Sequence, residues 1–123
     1  MLGDSVTLTL GGSGGTERVV TKINQDNYSA EYLGRAATGL DEIRLRVRHT
    51  KETPKNGTAM DRHNVVLTQT VFATAETPEI VREYYFVIRS NPSDVAASVI
   101  DLAEAGTFWS TATNLGKVLG WES

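Results

Sequence analysis

Three arginines at alternate positions, Arg44, Arg46 and Arg48 in the segment IRLRVR, interleave with Ile43, Leu45 and Val47. Successive side chains of a strand point to opposite faces, so this spacing predicts three guanidinium groups on one face and three aliphatic chains on the other. Like charges about 7 Å apart along a strand repel one another. A solvated outer face is one reading of the pattern. An anionic ligand is the better one, because the run is purely arginine, whose planar fork suits phosphates and stacking on bases, and because few acidic neighbours are expected on that face.

Other chemistry is poorly supported. The two histidines, His49 and His63, come from different strand patterns and have no third nitrogen or thiolate nearby, so a zinc site is not expected. His49 is read as a strand-end residue and His63 as a core-edge one. No G-x-S-x-G elbow is present, and nothing fixes a Ser-His-Asp triad. Asp41 and Glu42 are sequence neighbours in a strand and point apart, which rules out a working carboxylate pair. GGSGG at 11–15 has no lysine and leads into a strand, unlike a phosphate-cradling loop. No metal site or catalytic residue is assigned, and the chain is not read as an enzyme.

The elements that position the arginines are mostly strands. SVTLTL at 5–10 alternates Val6, Leu8 and Leu10 with hydroxyl residues, and TERVVTKI follows GGSGG, giving an amino-terminal β-hairpin over 1–23. NQDN at 24–27 is turn chemistry, and a short strand covers 28–33. Three long β patterns follow at 41–51, 62–73 and 80–90, separated by a turn carrying Pro54 and Asn56-Gly57 and by a connection around Pro78. Val65, Leu67 and Val71 form one face of the second, and Tyr84, Phe86 and Ile88 one face of the third. Antiparallel neighbours would then merge their polar sides into one surface with Arg44, Arg46, Arg48, Asn64, Thr68, Thr70, Tyr85 and Arg89.

At residue 91 the period changes. Asn91-Pro92-Ser93-Asp94 suits a helix start, and Val95, Val99, Leu102 and Ala103 recur at helical spacing. Gly106 is read as the break before a second helix carrying Phe108, Ala112, Leu115 and Leu119. The expected fold is α+β: a hairpin at 1–23, an antiparallel sheet over 28–90 and two helices over 91–119 on one face, leaving the other open.

With 123 residues, 40% of them hydrophobic, this is the size of one domain, read as spanning 1–123. Such a chain buries only about two-thirds of its unfolded surface, so a partner is expected to complete its core. The absence of cysteine excludes disulfides and thiol catalysis. MLGDSVTLTL has neither a basic segment nor a long apolar run, so no secretory signal or membrane span is expected and the chain is read as folding in the cytoplasm. The formal charge of -3 argues against a general nucleic-acid binder only as an average. Residues 1–34 sum to -2, 35–62 to +3 and 63–123 to -4. The compensating carboxylates are thus expected on the hairpin, loops and helices.

The segments LTLGGSGGTERVVTKINQD, RVRHTKE, RHNVVLTQTVFA, TPEIVREYYFVIR and GKVLGWES, in this order, resemble the coat proteins of single-stranded RNA bacteriophages, the levivirus group, over essentially the whole chain. The likeness is greatest to short-loop coat proteins of Caulobacter RNA phages. It implies an obligate, intertwined homodimer whose sheets join edge to edge and whose helices clasp the partner. Many dimers would close into an icosahedral shell around single-stranded RNA, assembled in the bacterial cytoplasm as the virion capsid. By this resemblance RNA contacts fall on Arg44, Arg46, Arg48, Arg62, Asn64, Val66, Thr68, Tyr85 and Arg89.

Repression of translation through an RNA hairpin is also implied, but Arg44, Arg46 and Val66 stand where better-known members have small hydroxyls and a lysine around an adenine. That departure favours an electrostatic, stacking grip. The loop at 73–79 corresponds to the family's loop at the symmetry axes, where Pro78 is read as either cis or trans. Glu76 and Glu79 would crowd with their copies there, and a divalent cation such as calcium would relieve the repulsion. Trp121 is read as core in preference to a contact between dimers. The alternative function is a soluble dimeric RNA-binding module.

Overall fold

The computed structural model describes residues 2–53, 55 and 57–122. Six strands, β1 (Ser5–Leu10), β2 (Thr16–Gln25), β3 (Ser29–Arg35), β4 (Asp41–Glu52), β5 (Met60–Val71) and β6 (Ile80–Ser90), precede helices α1 (Ala96–Trp109) and α2 (Ala112–Leu119). The strands form one antiparallel sheet in chain order. Each therefore lies beside its sequence neighbour and needs only a short connection. The expected turn at Pro54 and Asn56 lies outside the described residues.

The hairpin tip takes its shape from glycine: Gly11, Gly12 and Gly14 have φ of +87°, +77° and +81°, a region costly for any residue with a Cβ. β2 continues past the hairpin to pair with β3, with a bulge between Lys22 and Asn24. This sharpens the local twist. Val6 and Leu8 pack against a core of Val20, Tyr32, Ile43, Leu45 and Val47, so the hairpin curls over the face that carries the aliphatics of IRLRVR. Gly34 permits that approach, because a Cβ there would overlap the Val19 carbonyl. The Tyr32 hydroxyl donates to the Gly3 carbonyl at 2.8 Å, satisfying its polar end while the ring is fully buried. Asp41 also points to this face, where Arg18 and Gln69 donate to it at 3.1 and 2.6 Å.

The helices start and stop differently from the sequence reading. Asn91 spends its side-chain oxygen on the Ser93 N–H and hydroxyl, and Asp94 accepts from the Val95 N–H. Residues 91–95 therefore make a separate turn, and α1 begins at Ala96 with no side-chain cap. α1 also runs through Gly106, carrying Phe108 and Trp109 with it. The break comes at Ser110, whose hydroxyl donates to the Gly106 carbonyl, and Thr111 caps α2 by accepting from the Asn114 N–H.

Neither helix buries any residue. Leu102, Phe108 and Leu119 are 77, 88 and 82% exposed, and Trp121, expected in the core, is 95% exposed. α1 meets its own sheet at β6, leaving Tyr84 and Phe86 of the apolar face half open. The surface totals 9402 Å², against about 6,500 Å² for a compact monomer of this mass. The surplus, about 2,900 Å², has the scale of an obligate protein interface.

Candidate nucleic-acid interface

The register between strands fixes which side chains share the open face. β4 pairs Arg44 with Thr68, Arg46 with Val66, Arg48 with Asn64 and Thr50 with Arg62. β5 in turn pairs Thr68 with Glu83, Val66 with Tyr85, Asn64 with Val87 and Arg62 with Arg89. All nine residues named from the sequence, Arg44, Arg46, Arg48, Arg62, Asn64, Val66, Thr68, Tyr85 and Arg89, therefore occupy one face. The core aliphatics of β4 lie on the other. Tyr85 is 62% exposed, its ring open to stacking.

The arginines are not as bare as expected. β3 places Glu31 opposite Arg46, and its Oε1 accepts from Arg44 Nη1 at 2.6 Å and from Arg46 Nε at 3.3 Å. Glu42 stands 3.7 Å from Arg44 and 3.4 Å from Arg35. Glu52 takes Arg62 at 3.3 Å and Arg89 at 2.6 Å. These carboxylates lie on strands of the arginine face, correcting the expectation that they would sit on the hairpin, loops and helices. Repulsion within a row of like charges explains the arrangement: each carboxylate bridges two arginines and holds their guanidinium groups apart. Arg44 and Arg46, acting as hydrogen-bond donors, hold the Glu31 carboxyl below its ordinary value against the opposing effect of partial burial.

Arg48 differs from its neighbours. Among the described residues it forms no ion pair within 4.0 Å, and it acts on Asp26 only weakly and through space. Asp26 is occupied locally, accepting from the Tyr28 and Ser29 N–H groups at 2.8 and 2.7 Å. Those hydrogen bonds lower its pKa and hold the β2–β3 turn. Arg48 and Arg46, with Asn24, Ser29 and Glu31, line a recess of about 230 Å³ at the β2 bulge. Asn64, paired with Arg48, has its Oδ1 shielded from solvent with no donor.

The remaining candidates sit elsewhere. His49 and His63 are cross-strand partners on the opposite face, with Nδ1 atoms 2.9 Å apart, His49 exposed and His63 half-buried. They hydrogen-bond to one another at the end of the strand pair. Glu76 lies in the β5–β6 loop and Glu79 just before β6, both exposed. No group of three or more potential ligands is found among the described residues, so an ion there would need carboxylates from several subunits. The peptide bond at Pro78 is trans. Among the described residues no helix is long and apolar enough to cross a membrane.

Comparison with known proteins decides what kind of chain carries this face. The profile of a family described as "Phage phiCb5, coat protein" matches residues 3–91, from the hairpin through β6. The chain belongs to the phiCb5 phage coat protein family. It is accordingly a structural capsid protein, a component of the phage virion and not an enzyme.

Solved structures agree in fold. The virus-like particle of bacteriophage ESE058 superposes with a TM-score of 0.67 at 11% identity, covering 94% of each chain. The particle of Beihai levi-like virus 21 gives 0.65 at 15% identity, covering 97% of this chain and 94% of its own. A bacteriophage coat protein described as an unassembled, RNA-binding dimer gives 0.51 at 16% identity, covering 97% and 94%. No curated protein sequence matches. The family match ends at residue 91, but these superpositions extend over nearly the whole chain, so the α+β sheet-then-helices architecture is shared throughout.

Proposed function

We propose that this coat protein dimerises, assembles into a closed icosahedral shell and holds single-stranded RNA on its open sheet face. The observation that carries the reading is the register that gathers Arg44, Arg46, Arg48, Arg62 and Arg89 with Asn64, Thr68 and Tyr85 on the face opposite the core. The apolar surplus on the other side supports the dimer: an unpartnered α1, a half-open Tyr84 and Phe86 and an uncovered β6 edge are what a second copy would bury.

The chemistry of the grip follows from the side chains. Arginines meet phosphates, and the exposed Tyr85 ring offers stacking to an unpaired base. Arg44 and Arg46 have their donors turned partly toward Glu31, which favours retention of RNA in bulk over reading of a single hairpin. Ultraviolet crosslinking of bound RNA followed by peptide mapping tests the face assignment. Crosslinks should concentrate on β4–β6, with Tyr85 prominent. A pattern confined to α1, α2 or the hairpin would overturn it.

A further inference from the structure

We propose that His49 and His63 form a two-nitrogen chelating site for a transition-metal dication of the class that prefers imidazole, Cu2+ first among them, on the face opposite the arginines. In the sequence the two histidines belong to separate strand patterns 14 positions apart, and nothing there joins them. The β4–β5 register makes them direct cross-strand partners. Val47 opposite Val65 precedes the pair and Lys51 opposite Asp61 follows it, all on the face of the β4 aliphatics.

The spacing of the rings suits a metal. Two nitrogens each about 2.05 Å from one ion and at right angles about it lie about 2.9 Å apart. The two Nδ1 atoms are separated by 2.9 Å. Without metal, one Nδ1–H donates to the other Nδ1, and the same spacing serves that hydrogen bond. An ion takes the place of the shared proton once the rings turn to aim both lone pairs to one side. Among the described residues the rings hydrogen-bond only to each other, with their planes 68° apart, so no other partner has to be given up. The backbone is the fixed part. β4 and β5 pair without a break from Asp41–Val71 to Glu52–Met60, and the His49 N–H donates to the Tyr28 carbonyl at 2.7 Å. Histidines opposed on a formed ladder are already together, so the ion does not have to order the chain.

Room for the ion and its waters lies beside the pair. A recess of about 450 Å³ adjoins both rings and is lined also by Tyr28, Thr50, Lys51 and Asp61. Asp61, two residues before His63 and on the same face, offers a carboxylate to the ion or to its waters. Lys51 opposite it balances that charge. Two nitrogens from the chain with waters completing the sphere make an open site, unlike a closed zinc site of four side chains. Imidazole selects against Ca2+ and Mg2+, which take oxygen ligands, and Cu2+ binds such nitrogens most tightly of the first-row dications. An ion held there ties β4 to β5 beside the connection between them.

Titration of the full-length protein, first stripped with a chelator, with CuCl2 tests the site. One ion should bind per chain, and electron paramagnetic resonance of the loaded protein should show splitting from two imidazole nitrogens. That spectrum is read on the unmodified chain and does not depend on any variant folding. His49→Gln and His63→Gln should each weaken binding about tenfold or more, because each removes one arm of a chelate. Cu2+ should raise the thermal midpoint of the parent and leave that of His49→Gln/His63→Gln unchanged. An excess of CaCl2 should not displace the ion. A spectrum with one nitrogen or none, equal binding by parent and double variant, or single variants that keep half the ions at unchanged affinity would each overturn the site.

Discussion

Arg48 and Glu31 should move RNA affinity in opposite directions. Among the described residues Arg48 has no carboxylate partner within 4.0 Å, whereas Glu31 holds Arg44 at 2.6 Å and Arg46 at 3.3 Å. Each cation that neutralises a phosphate of a single strand adds about 0.7 to the slope of log affinity against log salt. Extrapolated from a 1 M reference to 0.1 M salt, one contact is then worth roughly a fivefold gain in affinity. Arg48→Ala should cost about that factor in filter binding and make the salt slope shallower by about 0.7. Glu31→Gln frees two guanidinium groups and should tighten binding, with a steeper slope. Arg48 is exposed on the open face, so Arg48→Ala should change folding by no more than about 0.5 kcal/mol. An unchanged slope in Arg48→Ala, or weaker RNA binding in Glu31→Gln, would refute the view that this face is the RNA surface.

Three further outcomes follow from the packing and the charges. Gly34→Ala should lower the denaturation midpoint by the equivalent of about 1–3 kcal/mol, because the added methyl meets the Val19 carbonyl where the hairpin crosses the sheet; a neutral result in urea titration would show that the hairpin is not seated there. Tyr32→Phe should cost about 1 kcal/mol by removing the hydrogen bond to the Gly3 carbonyl, and calorimetry would show no loss if that hydroxyl were solvated. The Glu31 carboxyl titrates below its ordinary value of 4.5, so its contribution is complete above that pH and is lost as the pH falls through the lower folded value. Urea midpoints should therefore fall on acidification in the parent, and part of that fall should be missing in Glu31→Gln.

The parts legible in the sequence are those set by local periodicity. The two-residue alternation of IRLRVR and of Val65, Leu67 and Val71 assigns faces without reference to other strands, and GGSGG marks its own turn. Long-range register is different. Glu31 meets Arg44 across 13 positions of chain and Glu52 meets Arg89 across 37, so the carboxylates threading the arginine face follow only from which residue opposes which. Helix boundaries failed for a local reason: Asn91 and Asp94 have oxygens that bind turn N–H groups as readily as helix ones, and one glycine does not end a helix. Trp121 and the exposed faces of α1 and α2 carry the apolar pattern of core residues. On the dimer reading their burial depends on another subunit, which no single-chain pattern can separate from burial within the fold.

Electron microscopy of the purified protein, with its absorbance at 260 nm, tests the central claim most directly. Uniform closed particles with internal density against the sheet face and strong 260 nm absorbance are predicted, and the triple charge removal Arg44→Ala/Arg46→Ala/Arg48→Ala should lower that absorbance while particles persist. Folded protein that forms no particles and carries no nucleic acid, or shells whose RNA lies against the helices, would contradict the account.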